Sequence, residues 1–131
     1  DLQVNTAQSR RRLAKSYPMA LWLEQQGRLA GFIAACAASD IDLIRKTLRD
    51  VVIEPQRAEA VPCFAAVTEA AKRSGALGYS LSGSGPSIFA LCAENDARNI
   101  ASAMEHACRA QGIACQSWVS PMNAPGARIE G

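Results

Sequence analysis

The sequence predicts an α+β fold in which an antiparallel sheet is packed by helices on one face. Three observations support this. The first half of the chain carries apolar residues at helical spacing, while the second half reads β-β-α-β. Two apolar runs of strand length flank the glycine-rich stretch "SGSGPS". Across 131 residues the hydrophobic content is 49% and the charged content 20%, enough apolar material for a single domain with its own core.

The opening "DLQVNT" alternates Leu2 and Val4 with polar neighbours, the period of a short strand. A helix follows, with Asn5 or Thr6 as its cap. From Pro18 a longer helix is expected over 18–38, its apolar stripe made of Leu29, Phe32, Ile33 and Cys36. "SDID" restarts a short helix carrying Ile41, Ile44 and Leu48. In "DVVIEPQR" the proline should interrupt it, because Pro55 disfavours the helical region for Glu54. Helix returns over 59–73, with Val61, Phe64, Ala65 and Val67 inward and Gly75 as the stop. Strands are expected over 76–81 and 87–92. "ENDARNIASAMEHACRAQG" is the strongest helix, capped by Asn95 or Asp96, striped by Ile100, Ala103, Met104, Ala107 and Cys108, and closed by Gly112. Further strands are expected over 113–120 and 127–131. This order is ferredoxin-like.

Composition narrows the function. A net charge of +2, with one basic run at Arg10-Arg11-Arg12 and no interleaved aromatics, gives no nucleic-acid footprint. No apolar run approaches the ~18 residues of a membrane span, and no signal-peptide pattern occurs. The five cysteines lie scattered in apolar segments without a CxxC pair, so free thiols in a reducing cytoplasm are expected and a zinc site is not. The first methionine is Met19, and the chain reads as part of something longer.

The stretch "SLSGSGPSIFALC" invites several chemistries. A nucleophile elbow needs G-x-S-x-G, but Ser84 is preceded at two positions by Ser82 and followed at two by Pro86. A dinucleotide fingerprint needs a third glycine and a helix directly after the turn, whereas Pro86 leads into a strand. No Walker sequence occurs. What remains is either a plain hairpin turn or a loop whose glycines let another backbone or a ligand come close. The single histidine, His106, lies off the stripe of its helix and is expected in solvent. Two other spots stand out: "NTAQSR" sets Thr6 and Arg10 four apart on one helix face, and "EPQR" sets Arg57 beside a rigid proline.

Taken in order, "VNTAQSR", "DVVIEPQR" and "GALGYSLSGSGPSIFALC" resemble the C-terminal region of the homoserine kinases, within the GHMP kinase family. The resemblance covers essentially the whole chain, and residues 1–131 would then form a GHMP kinase C-terminal domain. It implies that the full-length protein uses ATP and Mg²⁺ to phosphorylate the hydroxyl of L-homoserine, a step towards threonine. Thr6 matches a threonine beside the phosphoryl-transfer site. Arg10 and Arg57 match the positions that hold the amino-acid carboxylate. Gly83, Ser84 and Gly85 match a loop that supports the ATP phosphate loop. That phosphate loop belongs to the family's N-terminal domain and nothing here resembles it, so this part alone is expected to be inactive and to carry no cofactor. Asn5 stands where the family often has serine. The resemblance further implies a cytoplasmic enzyme with its own N-terminal domain as partner, no nucleic-acid or membrane partner, and room for a homodimer. Two other functions are compatible with these residues: a GHMP kinase for a different alcohol, and an amino-acid-binding regulatory α+β module.

Overall fold

The computed structural model describes residues 3–127 and 129. Its elements run α1 (Thr6–Arg12), α2 (Met19–Ala38), α3 (Ile41–Thr47), α4 (Glu54–Ala58), α5 (Phe64–Arg73), β1 (Gly78–Leu81), β2 (Ile88–Leu91), a 3₁₀ turn at Glu94–Asp96 and α6 (Ala97–Ala110). The expected α+β class holds. Among the described residues the sheet has two antiparallel strands, with Tyr79 opposite Ala90 and Leu81 opposite Ile88.

Those four residues share one face of the sheet by strand alternation, and α5 and α6 pack on it. One core cluster joins Val61, Cys63, Val67, Leu81 and Cys108; a second joins Ala71, Ala76 and Ile100. Met104 packs against both, and so fastens α6 along the length of the hairpin. The α6 stripe expected from the sequence is therefore the one that packs, with Ile100 and Cys108 buried. Gly75 and Gly112 close α5 and α6 with positive φ. On the opposite face of the sheet, Leu48 at the end of α3 lies over Gly78, where a Cβ would come within 2.5 Å of it.

The structure corrects four local expectations. Three of the four stripe residues on α2 face outward: Leu29 and Ile33 are 50% and 60% exposed and Cys36 is exposed, whereas Phe32 is half-buried, and Ala35 is the helix's buried residue. Polar side chains share the inward face with Phe32 and Ala35. Gln25 Oε1 accepts from Val51 N at 2.9 Å, and Arg28 donates to Lys46 O at 3.1 Å, so α2 is tied to the end of α3 and the linker beyond it. Glu54 is helical after all, as the first residue of α4 with Pro55 next. A proline is tolerated in the first turn, where its missing N–H has no helical partner to lose. The segment expected as helix over 59–73 starts only at Phe64, with Val61 buried in the turn before it and Ala65 exposed where it was expected inward.

The fourth correction concerns 113–120, which forms no strand. A cavity of about 700 Å³ lies between it and β2, and the two form no ladder. It is held to α6 instead: Ser117 Oγ donates to Glu105 Oε2 at 2.9 Å and Cys115 Sγ to Glu105 O at 3.5 Å. The strand expected at the N-terminus falls partly on Asp1 and Leu2, outside the described residues, and Gln3 and Val4 carry no strand pairing. Of the last expected strand, Arg128, Glu130 and Gly131 lie outside the described residues.

Candidate functional site

The site is built around the six residues 82–87 that join β1 to β2. Ser82 N donates to Ser87 O at 2.8 Å, extending the ladder, and Gly85 N donates to Ser82 O at 3.2 Å, closing a tight turn. Gly83 and Gly85 sit at φ +63° and +83°. Both values lie in the left-handed region that residues with a Cβ seldom adopt. The two glycines differ in surroundings. A Cβ on Gly83 would meet nothing within 4 Å, whereas one on Gly85 would lie 3.2 Å from Val61 Cγ2 and 3.5 Å from Leu81 Cδ2. Gly85 is thus the close-approach position, seated on the core, and the loop is more than a free hairpin tip.

Two other elements reach this loop. Asn5 caps α1, its Oδ1 accepting from Gln8 N at 3.0 Å. This cap sets Thr6 at the first helical position, where its Oγ1 lies 3.0 Å from Ser84 Oγ. From α4, Arg57 donates through NH1 to Gly83 O at 2.7 Å. The linker before α4 is shaped by Asp50, whose Oδ1 accepts from Val52 N and Ile53 N at 2.9 and 2.8 Å and so starts the turn that Pro55 continues. The structure therefore brings Thr6, Arg57 and the Gly83-Ser84-Gly85 loop together across sequence separations of 78 and 26 residues. Arg10 stands one turn after Thr6 on α1, exposed, its side chain without a hydrogen bond or ion pair among the described residues. His106 is exposed on α6, as expected.

Two residues of "EPQR" matter beyond the arginine. Gln56 accepts from Ala14 N at 2.8 Å and donates to Val52 O and to Tyr17 Oη, which ties the segment after α1 to α4. An amide beside a proline carries no signal that would have singled it out. Glu54 has a buried Oε2 without a hydrogen-bond partner, and so does Arg57 at Nε. Burial pushes the Glu54 carboxyl above its usual range, and nearby Asp50 adds to this; the Ser80 hydroxyl and Arg49 oppose it.

Chemically, the loop's own polar groups are spent on its supports. Ser84 meets Thr6, the Gly83 carbonyl meets Arg57, and Gly85 N–H meets Ser82. Among the described residues no three of His, Cys, Asp and Glu gather as metal ligands. The arrangement therefore does not fit a cradle for a magnesium–nucleotide complex. It does fit the wall of an anion site, since Arg57 NH2 has no protein partner among the described residues.

The comparisons with known proteins agree with this architecture. Residues 32–110 match the family described as "GHMP kinases C terminal". The homoserine kinase of Xanthomonas campestris pv. campestris (strain B100) is 40% identical over 127 residues, which is 96% of this chain and 39% of that protein. The homoserine kinase of Chlorobaculum tepidum is 42% identical over 130 residues, 97% of this chain and 40% of the relative. A crystal structure of homoserine kinase from Cytophaga hutchinsonii superposes with a TM-score of 0.82 at 36% identity, covering 86% of this chain and 36% of that one. The chain spans about 40% of the length of the curated relatives it matches. With the family pattern running through more than half of its residues and the fold of a solved relative around its glycine loop, the chain belongs to the GHMP kinases, as a C-terminal domain of that family.

Proposed function

We propose that this chain is the C-terminal, substrate-binding part of a homoserine kinase, which transfers the γ-phosphate of ATP to the hydroxyl of L-homoserine and yields O-phospho-L-homoserine for threonine biosynthesis. The observation that carries the reading is the meeting of three sequence-distant elements at one loop. Thr6 lies 3.0 Å from Ser84, and Arg57 donates to Gly83 at 2.7 Å. The relatives bearing that name match along 96–97% of the chain.

In this reading Arg57 and Arg10 hold the substrate carboxylate. A guanidinium suits that anion because it offers parallel donors in a fixed plane. Anchoring NH1 on Gly83 fixes that plane before substrate arrives, which lowers the ordering cost of binding. Thr6 lines the phosphoryl-transfer site. The 82–87 loop supports the phosphate loop of an N-terminal domain, and that domain holds ATP and Mg²⁺, since the residues of this chain do not fit them. No described helix is long and apolar enough to cross a membrane; the enzyme is read as cytoplasmic.

The test is ADP release by the full-length protein with Mg-ATP and a panel of alcohols. Homoserine should be the preferred acceptor, and residues 1–131 alone should give no turnover. Preference for another alcohol at equal concentration would move the protein to a different branch of the GHMP kinases.

A further inference from the structure

Three of the chain's five cysteines meet at the main core cluster. Cys63 directly precedes α5, Cys108 lies near the end of α6, and Cys115 is on the segment 113–120 that follows. Cys108 Sγ faces Cys63 Sγ at 3.4 Å and Ile113 O at 3.8 Å. Thiols in contact need only a small side-chain shift to reach bonding distance. Cys115 packs against the cluster that holds both, and is half-buried where they are buried. All three line the cavity of about 700 Å³ between β2 and 113–120. Cys92 lines it too but packs with the second core cluster, and Cys36 is exposed on α2. Two packed thiols alone would be ordinary core, since a buried cysteine behaves as a small apolar residue. Core packing does not account for a third thiol beside them, on a segment without strand pairing, at a cavity large enough for a small organic molecule. Among the described residues the three are not arranged as metal ligands.

We propose that this cluster is a thiol–disulfide exchange site: a small aliphatic disulfide enters the cavity, reacts at Cys115, and leaves Cys63 and Cys108 joined. Exchange runs through mixed disulfides. The Cys115 thiolate attacks one sulfur of the incoming disulfide, whose S–S bond breaks, and a small thiol leaves with the proton that Cys115 gave up. Cys108 then attacks the Cys115 sulfur and releases the second small thiol in the same way. Cys63 attacks the Cys108 sulfur, and Cys115 regains a proton. The thiols of Cys63 and Cys108 are oxidised by two electrons in all, and one external disulfide is reduced to two thiols. Burial holds the Cys108 and Cys115 thiols above the ordinary thiol range, so the cluster rests reduced and reacts slowly near neutral pH. The consequence falls on the glycine loop. Cys63 stands two residues after Val61, on which Gly85 is seated, and shares a core cluster with it and with Leu81. Close-packed interiors transmit such shifts, so tying Cys63 to α6 should alter the loop. None of this chemistry depends on which alcohol the enzyme phosphorylates.

The test treats the full-length protein with hydroxyethyl disulfide in mildly alkaline buffer, blocks the remaining thiols with iodoacetamide, and maps tryptic peptides by mass spectrometry. Cleavage after Arg57, Lys72, Arg98 and Arg109 puts Cys63, Cys92, Cys108 and Cys115 on separate peptides. The Cys63 and Cys108 peptides should come out joined and the Cys115 peptide alkylated, and dithiothreitol should reverse the joining. Cys115→Ser should slow the joining about tenfold or more, while Cys36→Ser leaves its rate unchanged. In the joined protein, hydrogen exchange over 82–87 should change while exchange in α2 does not. Mixed disulfides at separate cysteines with no joined pair, or joining only after denaturation, overturns the proposal. So does a Cys115→Ser protein that joins the pair as fast as wild type; the wild-type peptide map decides alone if that variant folds poorly. A joined pair with unchanged exchange over 82–87 overturns the coupling to the glycine loop.

Discussion

Replacing each turn glycine with alanine separates two contributions that the sequence alone cannot tell apart. Gly83 and Gly85 both have positive φ, +63° and +83°, so either alanine meets the backbone penalty of the left-handed region, about 1–2 kcal/mol. Only Gly85 adds a packing conflict, because its new Cβ would stand 3.2 Å from Val61 Cγ2. Val61 is 1% exposed in the main core cluster and has little room to retreat. Overpacking of this kind costs about 1–3 kcal/mol. Gly85→Ala should therefore lose at least about 1 kcal/mol more than Gly83→Ala, a difference of roughly 4 °C in Tm for a chain of this size. Guanidinium denaturation followed by circular dichroism measures it. Val61→Ala in the Gly85→Ala background should cost less than Val61→Ala alone, with a coupling of about 1 kcal/mol. Equal losses at the two glycines, with no coupling to Val61, would mean that the loop is not seated on the core and the close-approach argument is wrong.

Three further outcomes follow from the same geometry. Gly78→Ala puts a Cβ 2.5 Å from Leu48 Cδ2 and 2.6 Å from Leu48 Cγ, so it should destabilise by about 1–3 kcal/mol, and Leu48→Ala should recover part of that in denaturation experiments. Gln56→Ala removes the acceptor for Ala14 N; it should cost about 1 kcal/mol and speed hydrogen exchange at Ala14 without changing exchange in α6. Thr6→Val removes the contact with Ser84 at an exposed position, so stability should fall by less than about 1 kcal/mol while turnover of the full-length enzyme drops; unchanged turnover would make Thr6 a tether only.

The parts of the fold legible in the sequence are those where one local signal decided the outcome. The glycine stretch between two apolar runs gave the hairpin, and the Ile100 to Cys108 stripe gave the inward face of α6. On α2 the period was right and the face was wrong for all but Phe32, since apolar spacing cannot register that Gln25 and Arg28 find backbone partners on the linker and at the end of α3. At Glu54 the restriction before proline yielded to helix-start geometry set by the Asp50 turn. The segment 113–120 has strand-like residues, but a strand needs a paired neighbour, and a cavity holds it away from β2. At the site, motif spacing singled out Thr6, Arg10, Arg57 and the loop, and hydrogen bonds join all of these but Arg10. The hydrogen bonds joining them, and the unsatisfied Glu54, depend on tertiary placement that no local pattern encodes.

The claim that Arg57 holds the substrate carboxylate must be separated from its visible contact with Gly83, because Arg57→Ala removes both. An enzyme–substrate cycle does this: kcat/KM of wild type and Arg57→Ala, each with homoserine and with 3-aminopropan-1-ol, which is homoserine without its carboxylate. A charge-assisted hydrogen bond is worth roughly 1.5–3 kcal/mol, so Arg57→Ala should lose about 10–150-fold on homoserine and little on the amino alcohol. Arg57→Lys should recover only part, because an ammonium lacks the planar fork. Equal losses on both substrates would contradict the account, leaving Arg57 as a clamp on the glycine loop with no hold on the carboxylate.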